Sequence, residues 1–284
     1  MPGSADILVA IVDDDRAVLD LETYFALGSP TASGSRFTGG RFERLGGGGG
    51  HAQTKDRFVA DDLIAVTLLS VQVPPPIAIQ ILEGDLGRDL SAQLRLISTD
   101  IAIGAEGADR LLDNGGPANK AWGLLKACDG VGWVTAGKLL ARKRPKLIPV
   151  YDHVVQCVRR SPDSFWLWLH RHLADEETGL RAALHRLRRR ANVPADISDL
   201  RILDVAVWMR HRNDHVPWGV RRRRARIAAA RCSRRVSQAS TGQESPGNRS
   251  KPRFRSRSEA RSSPLKILTE GTSPGCRIAE PVAA

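Results

Sequence analysis

Between residues 58 and 212 apolar positions recur three and four apart, and no sustained alternation of apolar and polar residues interrupts them. That is the periodicity of amphipathic helices. Leu63, Val66, Leu68 and Leu69 mark one helix, with Asp61 or Asp62 at its cap, before Pro74-Pro75-Pro76 forces an extended connector and starts the next, Ile77 to Glu83. Leu86 to Ile97 and Gly107 to Asp113 predict two more. After the Gly115-Gly116-Pro117 break, Ala121 to Cys128 gives the last turns of a helix, and Trp133 to Arg142 gives another, with Ala136, Leu139 and Leu140 at helical spacing. Pro145 to Pro149 is extended, and a helix from His153 to Arg159 follows. An aromatic helix starts at Ser161-Pro162 and carries Phe165, Trp166 and Trp168. Leu180, Ala183, Leu184 and Leu187 mark an amphipathic helix with Arg181, Arg186 and Arg188 outside, and Leu200, Leu203, Val207 and Trp208 mark the last, after a Ser198 cap. The expected class is mainly α, a multi-helix globule around a helical hairpin.

The ends of the chain read differently. Residues 1–57 offer the apolar run Ile7 to Val12, then Asp13-Asp14-Asp15, then Ala17, Val18, Leu19, Leu21, Tyr24 and Phe25 at helical spacing. The run is too short, and lacks the basic leader, for a secretory signal. Residues 29–50 are rich in Gly, Ser and Thr and end in five glycines, the composition of a flexible connector. Phe37-Thr38-Gly39-Gly40-Arg41-Phe42-Glu43 brackets a turn with aromatics and is expected to anchor that connector to the body. Beyond residue 217, Arg, Ser, Gly and Pro dominate and few aromatics occur, which predicts a disordered basic tail over 218–284. The expected domains are therefore 1–57, a helical domain over 58–217, and the tail.

Charge sharpens this division. The net charge is +12, yet residues 219–284 alone hold 16 Lys/Arg against 4 Asp/Glu, so the rest of the chain is neutral. Within that rest, residues 1–113 carry 9 basic and 17 acidic side chains, and residues 138–190 carry 13 basic and 5 acidic. The basic part includes Lys138, Arg142, Lys143, Arg144 and Lys146, where phosphate contacts would help a nucleic-acid partner. Cys128, Cys157, Cys232 and Cys276 have neither disulfide nor metal spacing and predict reduced thiols in a cytoplasmic protein. No apolar run is long enough to span a membrane.

The hairpin carries the chemistry. Asp129-Gly130-Val131-Gly132 reverses the chain between two helices, because glycine permits φ > 0 where other residues clash. Such a turn can aim backbone N–H groups and the positive end of the second helix at an anion. Gly130-Val131-Gly132-Trp133-Val134-Thr135-Ala136-Gly137, followed by Pro149-Val150-Tyr151-Asp152, resembles the helix-hairpin-helix superfamily of DNA glycosylases, most closely its adenine-mispair branch. The likeness covers about thirty residues, 126–157. It implies that Gly130, Val131, Gly132 and the Thr135 end of the second helix hold a phosphate of duplex DNA, and that Lys138 adds charge. It also implies that Asp152 occupies the position of the catalytic aspartate. Val134 stands where strand-cleaving members keep a lysine, so the implied enzyme is a monofunctional DNA N-glycosylase or a catalytically silent relative. Trp133 and Tyr151 could stack on a base or pack in the core. The branch's second acid has three candidates, Asp61, Asp62 and Glu83, and the cysteine quartet of the cluster-bearing members is absent, so no iron–sulfur cluster is expected.

Other motifs carry less. Ile7 to Asp15 resembles the opening of a response-regulator receiver domain, but no second strand ends in a phosphoacceptor aspartate, and the acidic triplet is expected to cap a helix. His153 adjoins Asp152, but adjacent helical residues point apart, and so do His170 and His172 across two positions. His211 and His215 have the i, i+4 spacing without a third ligand, so neither a metal nor another cofactor is expected. Asp152 itself has a structural reading as a helix N-cap. The motifs Phe37 to Glu43, Asp61-Asp62-Leu63-Ile64-Ala65-Val66 and Trp208-Met209-Arg210-His211 also resemble an uncharacterised actinobacterial family, which implies a core ending near residue 215. The alternative function is a non-enzymatic structural or protein-interaction module of that family.

Overall fold

The computed structural model describes residues 4–27, 37–158 and 164–213. All of them belong to one compact unit. The expected tail, Cys232, Cys276 and His215 lie outside the described residues.

Among the described residues every regular element is helical. The axis of the unit is α8 (Trp133–Lys143), whose residues from Thr135 to Lys143 are all buried. Three helices support it: α7 (Pro117–Lys126) runs into it through the glycine turn, α3 (Ala60–Thr67) packs across it, and α5 (Asp85–Arg95) backs α7. The short α4 (Pro75–Leu82) and α6 (Ala108–Leu112) complete this half, against α5 and α7 respectively. Prolines set two of these starts. Pro75 opens α4 and Pro117 opens α7, each at a first-turn position where a missing N–H costs nothing.

The other half is built from both ends of the described chain. The helices α1 (Ser4–Asp13) and α2 (Asp15–Phe25) pack on α11 (Leu180–Arg190) and α12 (Asp199–His211), with α9 (His153–Val158) on α12 and α10 (Phe165–Ala174) against α6 and α11. Ile7 to Val12 is therefore helical. Asp14 caps α2, its carboxylate accepting the Arg16 N–H at 2.9 Å, and Ser198 caps α12 through the Arg201 N–H at 3.1 Å. The acidic triplet does more than cap: Asp13 pairs with Arg186, Asp15 with Arg190 and Asp14 with Arg210, tying the α1–α2 corner to α11 and α12. One continuous buried cluster runs from Leu8 to Met209, so the expected boundary at residue 57 divides no core.

Residues 37–57 are not a loose connector. Phe37 stacks on Tyr24 and meets Trp208 edge-on, with ring centroids 5.2 and 5.9 Å apart. Phe42 is fully buried, and Glu43 accepts hydrogen bonds from the Ser198 N–H at 2.9 Å and hydroxyl at 2.7 Å. Desolvation pushes the Glu43 carboxyl up, and those two Ser198 bonds oppose it. The anchoring role of Phe37 to Glu43 thus has a physical basis. The glycines that follow permit close approach. A Cβ on Gly49 would overlap the Arg142 carbonyl, whereas one on Gly50 meets nothing within 4 Å. Gly49→Ala is expected to lower the melting temperature by several degrees, an overpacking cost of about 1–3 kcal/mol, while Gly50→Ala leaves it unchanged. Circular-dichroism melts of the two variants would check the contrast.

Among the described residues no helix is long and apolar enough to cross a membrane.

Candidate functional site

The turn between α7 and α8 closes through the Val131 N–H, which bonds the Cys128 carbonyl at 3.1 Å. Gly130 takes φ = 79°, the left-handed region that favours glycine. Val131 plugs the turn into the core at 5% exposure, and Gly130 and Gly132 on either side of it are exposed. One side of Gly130 is lined by Pro74, whose Cγ would stand 2.9 Å from an added Cβ. Around Gly132, the N-cap of α8, an added Cβ meets nothing within 4 Å. The N–H groups of a helix's first turn have no intrahelical acceptor, so this end of α8 offers donors beside open space.

One cation and one anion flank the turn. Lys126 is exposed, with Nζ 4.5 Å above the Trp122 ring, while Asp129 is exposed within the turn itself. Trp122 holds the second helix by donating its indole N–H to the Trp133 carbonyl at 3.4 Å.

The expected basic face of α8 is absent, and four side chains require correction. Lys138 is 5% exposed and donates to the Leu69 carbonyl at 2.9 Å. Burial lowers its pKa against the pull of Asp152 and Asp204. Arg142 donates to Asp62 at 3.0 Å and to the Phe42 and Leu45 carbonyls. Lys143 pairs with the same Asp62 and reaches the Thr54 carbonyl at 3.0 Å. Arg144 donates to the carbonyls of Ile97 at 2.8 Å and Lys55 at 2.7 Å and to the Asp56 carboxylate at 2.7 Å. These cations hold the 42–57 segment and the end of α5 onto the axis helix, and none is available to a phosphate. Thr135 is buried as well, at 8% exposure.

Asp152 lies half-buried at the start of α9, where its Oδ1 accepts the Val154 N–H at 2.9 Å and the Val155 N–H at 3.2 Å. Its capping role is therefore real, and the second carboxylate oxygen is not used by the cap. Beside it runs an aromatic ladder. Trp133 meets Tyr151 at 5.3 Å and His153 at 5.0 Å between ring centroids, and Tyr151 stacks on Phe165 at 4.1 Å. Trp133 and Tyr151 are half-buried and His153 is exposed, so the ladder's outer end is open next to the turn. Turn, carboxylate and aromatics are thus brought together by α8 and α9.

Of the second-acid candidates, Asp62 is locked at 1% exposure between Arg142 and Lys143, with its Oδ2 accepting the Val59 N–H. Asp61 and Glu83 are exposed. A carboxyl that the sequence did not single out is more suggestive. Asp204 of α12 is 5% exposed, paired with Arg201, and faces a cavity of about 20 Å³ between Val150, Phe165 and Leu203. Burial raises its pKa to about 7 against the pull of Arg201, with Asp152 adding to the rise. Arg201 also donates to the Tyr24 hydroxyl at 2.6 Å and the Gly39 carbonyl at 3.0 Å. Lys138, Asp152, Asp204, Arg201 and Tyr24 influence one another as one polar network beneath the hairpin. Cys128 of the turn donates to the Leu124 carbonyl at 3.4 Å, and burial raises its thiol pKa, an inert environment. Among the described residues no three His, Cys, Asp or Glu side chains gather as a metal site.

Residues 17–211 match the model of a family of unknown function (DUF6308), and the chain belongs to that family. The matched segment runs from α2 to the end of α12 and so takes in the axis helix, the Phe37–Glu43 anchor and the polar network. No curated protein and no solved structure matches the chain.

Proposed function

We propose that this protein binds duplex DNA through the glycine turn between α7 and α8, as a relative of the base-excision glycosylases in mode of binding. The observation that supports this most directly is the exposed turn itself. Gly130 and Gly132 leave the backbone uncovered at the N-terminal end of a helix whose remaining length is buried and rigidly held. In this reading the amides of Gly132 and Trp133 donate to a backbone phosphate, Val131 fixes the turn from within, and Lys126 supplies positive charge at the end of α7. Lys138 and Thr135 act from the interior as positioning residues for α8. Trp133 and Tyr151 present ring faces beside the bound strand. Asp152 adjoins the ladder at the start of α9, and a monofunctional base excision would use the oxygen its cap leaves over to stabilise a cationic sugar or position water.

Gly132→Asp tests the binding. Aspartate is a favoured N-cap and has open space at this position, so the variant is expected to fold and melt as the parent does. Its carboxylate would stand where the phosphate sits. Affinity of the full chain for a 20-base-pair duplex, followed by fluorescence anisotropy, is expected to fall about tenfold or more at low salt. Unchanged affinity would remove the proposal. For catalysis, Asp152→Asn keeps a capping oxygen and removes the charge. Release of free base from mismatched duplex by the parent chain, lost in this variant, would make it an enzyme. No release from either makes it a silent member.

A second reading, a structural or protein-interaction module, is favoured by one specific finding: the cations of α8 serve the protein's own carbonyls. It expects no loss of duplex affinity on changing Gly132.

A further inference from the structure

We infer that the face around Lys55, Arg57, Arg95 and Lys146, at the C-terminal end of α8, is a second contact surface for the phosphate backbone of duplex DNA. The inference rests on the reading of the hairpin as a DNA-binding element. It supplies what that element lacks, since the turn carries Lys126 against Asp129 and has no basic field of its own.

Arg186 and Arg190 are tied to the acidic corner before α2, Arg188 to Asp199 and Arg44 to Asp196. The side chains of Lys55, Arg57 and Arg95 are exposed and have no carboxylate partner among the described residues. A single guanidinium brings them onto one face. Arg144 bonds the Lys55 carbonyl and the Asp56 carboxylate on one side, and the Leu94 and Ile97 carbonyls on the other. The 55–57 segment therefore lies within one side-chain span of the end of α5. Lys146 follows two residues later, its Nζ 3.2 Å from Asp100, with the two side chains 53% and 86% exposed. An ion pair that open is weak and exchangeable, so Lys146 is free to trade this carboxylate for a phosphate.

Arg144 has a second effect on the same face. The last carbonyls of α5 would present the negative end of the helix dipole to an approaching anion. With Leu94 and Ile97 bonded to a guanidinium, that end is covered by positive charge. The face thus carries four exposed cations against one exposed carboxylate, Asp100, with Asp56 paired from inside by Arg144. It is an array of spaced, long side chains, the form that contacts successive backbone phosphates and carries no sequence readout. From Gly132 to Arg144 α8 rises about 18 Å, the axial length of roughly five base pairs of duplex.

The test is the salt dependence of duplex binding by the full chain, in the parent, in the combined Lys55→Gln, Arg57→Gln, Arg95→Gln variant, and in Gly132→Asp. Three lost phosphate contacts are expected to flatten the slope of log K against log salt by about 2.7, with an unchanged melting temperature. An unchanged slope in the triple variant, with affinity lost in Gly132→Asp, overturns this surface and leaves the hairpin standing. A flattened slope with Gly132→Asp unaffected keeps this surface as a DNA contact and overturns the hairpin. No change in either variant overturns both. Displacement of the duplex by polyglutamate at equal charge concentration would reassign the face to an acidic polypeptide and overturn the DNA assignment.

Discussion

Asp62→Ala is expected to lower the melting temperature by on the order of 10 °C. The carboxylate is 1% exposed and serves two cations that are equally buried, Arg142 at 3.0 Å through one oxygen and Lys143 through the other. Removing one partner of a buried pair leaves an uncompensated charge, at a cost of roughly 3–5 kcal/mol. Here two charges lose their partner at once. The Oδ2 bond to the Val59 N–H, which caps α3, is lost in the same substitution and adds about 1 kcal/mol. For a body of this size each kcal/mol shifts the midpoint by about 2–4 °C. The loss should also be local. Arg142 and Lys143 hold the carbonyls of Phe42, Leu45, Gly49 and Thr54, so amide exchange over 42–57 should quicken before that of α11 or α12. Asp196→Ala provides the contrast: it removes an exposed partner of Arg44 and should cost less than about 1 kcal/mol. A thermal melt in which both variants fall within 2 °C of the parent would mean that Asp62 does not hold the axis helix.

That same cluster shows what sequence can and cannot carry. Helix periodicity is local, and it places most helices from α3 to α12 to within a few residues, including the Ser198 cap and the start of α4 after the proline run. Pro117 reads as a break and is in fact the first residue of α7. The glycine turn was legible for the same reason, because left-handed backbone at Gly130 is a demand made within four residues. The run Arg142-Lys143-Arg144 was misleading, since three cations in a row ordinarily mean solvent. Apart from the Lys143 carbonyl, their acceptors lie 47 to 100 residues away, mostly in carbonyls that any sequence possesses and that no pattern advertises. The glycines at 46–50 misled in the opposite direction: a composition that reads as flexibility is used for contact, with Gly49 against the Arg142 carbonyl. Arg201 and Asp204 escaped notice because α12 is buried on nearly all sides. A charged pair three residues apart on a helix normally marks its wet face, and here it marks the interior.

Asp204→Asn should flatten the dependence of stability on pH between about 4 and 7. An unfolded aspartate titrates near 3.9, and in the folded protein burial raises the Asp204 carboxyl to about 7. Between those values the folded state holds a proton that the unfolded state has lost, so stability falls as pH rises across the window. The contribution is complete below the unfolded pKa and is lost on passing through the folded one. At about 1.4 kcal/mol per unit, the interval from pH 5 to pH 8 covers on the order of 3 kcal/mol, or roughly 5–10 °C in midpoint. Asparagine keeps the volume and an oxygen for Arg201, which retains the Tyr24 hydroxyl and the Gly39 carbonyl. Glu43, whose carboxyl is also raised by desolvation, is present in both proteins, so its titration cancels in the comparison. The difference in melting temperature between pH 5 and pH 8 should therefore be larger in the parent than in Asp204→Asn. Equal slopes would show that Asp204 is ionised throughout, held as a carboxylate by Arg201 and Lys138. The network beneath the hairpin would then be a fixed ion cluster, with no proton to exchange near neutral pH.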